Sequence, residues 1–307
     1  MEATEDTPLV PLAQTLPYWA MAKVLTPQDI HALIHLLGDD DAWVKEQARS
    51  TLRAAGDTAT PYLTTAHSAS EEPAIRTESA TLLEDIHVDD IERDWVDLQA
   101  RVDGEALEEG AFLLERMILP DCAARIETAR GELRELSAGA LVTVPEYGLP
   151  EERVEGLRRY LHETCGFHGN TDDYYDPDNS FLSSVLLRRT GIPITLALVY
   201  LTIGRRIGVP LVGIGMPMHF LVGYRTNASY RYLDPFFGGR EVSRGECLLL
   251  LERAGFEPAE SYLRPAPVVG ILERMARNLT VIYQNGARDR ELRLARRFVT
   301  LLTGEVA

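Results

Sequence analysis

"RRTGIPITLALVYLTIGRRIGVPLVGIGMPMHFLVGYRTNASYRYLDPFFGG", residues 188–239, carries most of the information about the architecture. Pro193 stands where a helix starts, because its missing N–H costs nothing in a first turn. From Ile194 to Arg206 apolar residues fall on every face, so the predicted helix is buried almost all round. After Gly208-Val-Pro come three short β-rich segments, 211–215, 219–224 and 230–234. The last two, joined by the turn-like RTNAS, read as an antiparallel hairpin. A buried helix on a small antiparallel sheet makes the class α+β.

Register matters here, because directly opposed residues of a hairpin share a face. Setting His219 against Asp234 pairs Tyr224 with Ser229 and leaves a four-residue loop, 225–228, a common length. The two side chains then start about 4.5–5.5 Å apart at Cβ, near enough for a carboxylate to fix one imidazole tautomer. The alternative is a core histidine bonded to a backbone carbonyl.

The rest of the chain bounds the function. It has 307 residues, 45% hydrophobic and 25% charged, enough for one large or two modest cores. A formal charge of -16 argues against nucleic acid and anionic membranes and leaves proteins, peptides or small molecules as partners. Three scattered cysteines, Cys122, Cys165 and Cys247, form no CxxC or Cys/His cluster, so neither a disulfide framework nor a metal site is expected, and a reducing cytoplasm fits. No cofactor is expected. The longest apolar run, Ile192 to Ile203, is far short of a membrane span, and the acidic MEATEDTPLV lacks the order of a secretory signal. Oligomeric state stays open.

Upstream the pattern is helical. Thr26 and Pro27 open a first helix with Ile30, Leu33, Ile34 and Leu37 at helical spacing, and a second follows the Gly38-Asp-Asp-Asp break. Val44, Lys45, Ala48 and Leu52 are echoed 31 residues later by Ile75, Arg76, Ser79 and Leu83, which resembles a HEAT-type repeat. Residues 1–100 are therefore expected to be a helical-repeat region offering a protein-binding face. EALEEGAFLLERMILP and CAARIETARGELRELSAGA predict two more helices separated by Pro120-Asp121, and 151–164 another.

The loop CGFHGNTDDYYDPDNS concentrates residues that need explaining. Asp176, Asp178 and Ser180 alternate as calcium ligands do, but an EF-hand's glycine and terminal carboxylate would fall on Phe181 and Leu187. A cap for a helix over 181–189, supplied by Asp178, Asn179 or Ser180 and ended by Gly191, explains them better. Arg188 and Arg189 read by default as a charged helix end.

Core helix, then His, then Asp is the order of the transglutaminase-like superfamily. GFHGN, YYDPDNS, RRTGIPITLALVYL, GMPMHF and LDPFFGG together resemble its SirB-type branch, over roughly residues 105–302. The resemblance implies a papain-like core over 101–260 with a helical lead-in and a truncated tetratricopeptide-like tail over 261–307. It implies that His219 and Asp234 are the base and its orienting carboxylate, with Asn170, Tyr174, Asn179 and Ser180 along the cleft. It also exposes a departure. At the core-helix start, where active members carry a cysteine nucleophile, stands Pro193, which has neither thiol nor N–H to offer. Thr195, one turn in, reads as packed core.

Three functions stay open. The domain is a degenerate, non-catalytic protein- or peptide-binding module; or it hydrolyses acyl or amide bonds with a nucleophile borrowed from Ser180 or Cys165, or with water; or the His219–Asp234 pair only pins the hairpin.

Overall fold

The computed structural model describes residues 25–100, 106–226 and 229–305. The chain divides after Ile86 into two compact units. In the first, α1 (Pro27–Leu36) opens with Thr26 as its cap and Pro27 at its first position, as the sequence predicts, and Asp29 completes a capping box with Thr26. α2 (Ala42–Ala55) is capped by Asp41, and α3 (Thr60–Ala69) and α4 (Pro73–Ala100) follow. Ile30, Ile34, Leu37, Ala48, Leu52, Leu63, Ile75, Leu82 and Ile86 form this unit's core.

The second unit begins within α4, where Ile91, Trp95 and Leu98 join a separate core. α5 (Ala106–Ile118), α6 (Ala123–Thr143) and α7 (Pro150–Arg159) lead in, and α7 runs into a wider π turn at Tyr160–Thr164. β1 (His168–Gly169) pairs in parallel with β2 (Thr190–Gly191), a contact with no local signature in the sequence. Between them lies α8 (Leu182–Arg188). The cap expected from Asp178, Asn179 or Ser180 does not form: Phe181 holds the N-cap position without a side-chain bond. Instead Glu115 of α5, fully buried, accepts from the Ser183 backbone N–H at 3.3 Å and from its hydroxyl, while Arg125 supplies the countercharge. A carboxylate at a helix N-terminus is favourable, and here it comes from 68 residues upstream. Gly191 does not end α8. Arg189 does, at φ 62, and Gly191 sits in β2.

α9 (Pro193–Arg206) is buried from Pro193 to Tyr200, and again at Thr202, Ile203 and Gly204. At about 1.5–3 kcal/mol for each large apolar side chain removed from water, it anchors the unit. β3 (Leu211–Ile214), β4 (Leu221–Arg225), β5 (Tyr230–Asp234) and β6 (Arg240–Val242) form an antiparallel sheet in that order. α10 (Arg244–Arg253), α11 (Val268–Asn285) and α12 (Asp289–Thr303) follow. The architecture is the expected α+β class with helical surroundings. No helix among the described residues is long and apolar enough to cross a membrane.

The hairpin register differs from the expected one. Tyr224 pairs with Arg231, not Ser229, and the last ladder pair is Arg225 with Tyr230, so the loop spans 226–229. Asn227 and Ala228 of that loop lie outside the described residues. The shift is two residues, an even number, so every side chain keeps its face. His219 is not in the strand at all: β4 starts at Leu221, and His219 occupies the preceding turn.

Candidate functional site

Asp234 ends β5 and caps the 3₁₀ turn Pro235–Phe237. Its Oδ1 accepts from the backbone N–H groups of Phe236 at 3.2 Å and Phe237 at 3.4 Å. The residue is 1% exposed. With one oxygen held by the main chain, the other is aimed: Oδ2 lies 2.9 Å from His219 Nε2, and Arg240 Nη2 stands 3.9 Å off. The His219 contact has hydrogen-bond length without good alignment, for Nε2 makes no well-directed hydrogen bond. Phe237 lies beside the imidazole, ring centroids 6.4 Å apart.

The turn before β4 sets the histidine's position. Met218 adopts φ 63, a left-handed conformation that costs a residue with a Cβ about 1–2 kcal/mol. It is 78% exposed, so packing does not repay that strain. What holds the turn is Arg274 of α11, which donates to the carbonyls of Met216 at 2.6 Å and His219 at 3.0 Å and lies over the Phe220 ring.

His219 opens onto a cleft of about 490 Å³. Ile192, Pro193 and Ile194 at the start of α9 form one wall, Tyr174 and Tyr175 another, Arg274, Asn278, Val281 and Ile282 of α11 a third, and Met218 and Phe220 flank the histidine. The helix start therefore meets the histidine in one cavity, at a position where Pro193 supplies no reactive group.

The other expected residues divide. Tyr174 lines the cleft and meets Phe236 edge-on at 5.9 Å. Asn179 does not line it. Fully buried, it donates to the Asp173 carbonyl at 2.7 Å, accepts from Asn170 Nδ2 at 3.1 Å, and offers its own carbonyl to Ile192 N–H at 3.4 Å. The Asn179 side chain thus ties the loop together with that of half-buried Asn170, and its main-chain carbonyl fastens the loop to the start of α9. Ser180 is 1% exposed, and its hydroxyl finds no partner among the described residues; the Thr195 hydroxyl is likewise buried and unpartnered. Neither lines the cleft. Cys165 is half-buried beside the Tyr160 hydroxyl and is also absent from the lining. Burial pushes the thiols of Cys122 and Cys247 up to about 11. No group of three His, Cys, Asp or Glu among the described residues is placed to hold a metal ion.

Sequence reasoning missed the α11 wall. Arg274, Asn278 and Val281 recur at i, i+4, i+7, one helical face beside the buried stripe of Ile271, Met275 and Leu279. That spacing was there to be read, but nothing in it says which cavity the face lines.

Comparison with known proteins gives this geometry its kinship. Residues 124–277 match the profile of the transglutaminase-like superfamily. A UPF0162 protein of Xylella fastidiosa is 36% identical over 232 residues, covering 69% of this chain and 77% of that one. A UPF0162 protein of Pseudomonas aeruginosa is 35% identical over 154 residues, 50% of this chain and 56% of its own. Human F-box only protein 21 is 32% identical over 167 residues, 52% of this chain but 26% of that protein. No solved structure matches.

Proposed function

Because the chain belongs to the transglutaminase-like superfamily, we propose that it is a member whose cleft binds a protein or peptide without carrying out amide chemistry. The observation that supports this most directly is at the first turn of α9: Pro193, not a cysteine, shares the cleft with His219. The substitutes offer little, since Cys165, Ser180 and Thr195 are all absent from the lining and a nucleophile must reach its base within about 3.2 Å. His219 and Asp234 are then an inherited base and orienter without a third member.

The same reading extends along the chain. It takes the protein as a SirB-type member, residues 1–100 as HEAT-like repeats, 101–260 as the core, 261–307 as a shortened tetratricopeptide-like tail, and a bacterial cytoplasm as the setting. Ala48 and Ser79, equivalent in the 31-residue repeat, are both buried, which supports the first region; the shared core of α11 and α12 supports the last.

The experiment is a search for turnover, measuring ammonia and amine released from acylated peptides and glutamine side-chain amides by the native protein and by His219→Ala. Release is expected to be equal in both, while peptide binding persists in Asp234→Asn. A second reading, in which the pair activates water for acyl or amide hydrolysis, is favoured by the 2.9 Å His219–Asp234 contact. Release that requires His219 would establish it and overturn the first.

A further inference from the structure

Arg274 uses two N–H groups to hold the His219 turn. A guanidinium has five, so donors remain, and the residue lines the cleft. No carboxylate among the described residues pairs with it. Elsewhere in the same unit Arg130 meets Glu109, Arg206 meets Glu108 and Arg125 meets Glu115. Arg153, like Arg274, is held by backbone carbonyls, those of Pro145, Ile207 and Gly208, but does not line this cleft. Carbonyl bonds steady a guanidinium but bring it no negative charge, and a half-buried cation without a counter-ion is costly. Burial pulls Arg274 below the ordinary guanidinium range accordingly. In a protein of formal charge -16, any attraction for an anion in this cleft has to be local.

Among the described residues, His219 is the only other basic side chain in the lining. A dianionic phosphate calls for more than that, whereas one planar fork matches one carboxylate. The remaining walls, Tyr174, Ile194 and Val281 among them, suit apolar groups beside it.

We propose that Arg274 makes the cleft a carboxylate-reading site, whose ligand is a peptide segment presenting a carboxylate next to an apolar or aromatic residue. The inference rests on the peptide-binding reading and names its ligand class. The carboxylate has two sources, the free C-terminus of a peptide and an acidic side chain within one.

The test compares four probes by isothermal titration on the full-length protein: acetyl-Gly-Phe-Leu with a free C-terminus, its C-terminal amide, acetyl-Gly-Phe-Glu-amide, and the glutamine counterpart of the last. At least tenfold tighter binding of the free acid than of its amide is expected if the C-terminus is read, and of the Glu peptide over the Gln peptide if a side chain is. Either preference should collapse toward unity in Arg274→Gln and survive in part in Arg274→Lys. Because Arg274 also holds the His219 turn, the variants are judged on these ratios, and the ratios in the native protein need no variant. Equal binding of all four would overturn the role of Arg274 and leave peptide binding standing. A preference that persists in Arg274→Gln would overturn it too. Failure of all four to bind at millimolar concentration would sink both the inference and the reading beneath it.

Discussion

His219 meets Asp234 through Nε2, at 2.9 Å, while Asp234's other oxygen is held by two backbone N–H groups of the turn that follows. The carboxylate therefore has two separable duties, and Nδ1 is the ring nitrogen left without a carboxylate.

Substituting Asp234 separates those duties. Asp234→Ala removes the acceptor from two backbone amides at a buried site and is expected to cost about 1–3 kcal/mol. Asp234→Asn keeps an oxygen for them and should cost less. Urea denaturation of both variants decides it, and equal losses would contradict the division of roles.

Gly169 is a packing requirement. A Cβ there would stand 2.5 Å from the Phe236 ring and 2.6 Å from its carbonyl oxygen. A ring can turn aside, but the carbonyl belongs to the turn that Asp234 caps. Gly169→Ala is expected to destabilise by about 1–3 kcal/mol, and an unchanged melting temperature would refute the contact.

Glu155 sets part of the acid limb of stability. Hydrogen bonds from Arg158, with Arg159 adding a further one, hold its carboxyl down at about 2 against an ordinary 4.5. The folded value is depressed, so its contribution is present above pH 4.5 and is lost as pH falls toward 2. Glu155→Gln should flatten melting temperature against pH in that window and leave its shape at neutral pH unchanged. A profile still as steep would assign the acid limb to other groups.

The cysteines test the borrowed-thiol idea. At pH 8, Cys122 and Cys247, buried and raised to about 11, should resist iodoacetamide in the native protein. Cys165, half-buried, should react first. Its rate is expected to ignore His219→Ala, because it does not share the cleft. A rate that falls with the histidine, followed by mass spectrometry, would bring thiol chemistry back.

Neighbouring residues and pattern were enough for part of this. Pro193 followed by an all-round apolar run meant a buried helix, and the pairing of His219 with Asp234 was legible, although the hairpin parity that suggested it does not place His219, which stands in the turn before β4. Motif order added the superfamily. Contacts between distant residues supplied the remainder. The hairpin slid by two because the loop closes at Arg225 and Tyr230, a choice parity leaves open. Glu115 displaced the expected local caps of α8, since a buried carboxylate paired with Arg125 satisfies that helix start from another element. Asn179 turned inward because its amide could bond both the main chain and Asn170. Arg274 became part of the cleft only when α11 packed against the His219 turn, since a helix pattern tells which residues share a face but not what that face will meet.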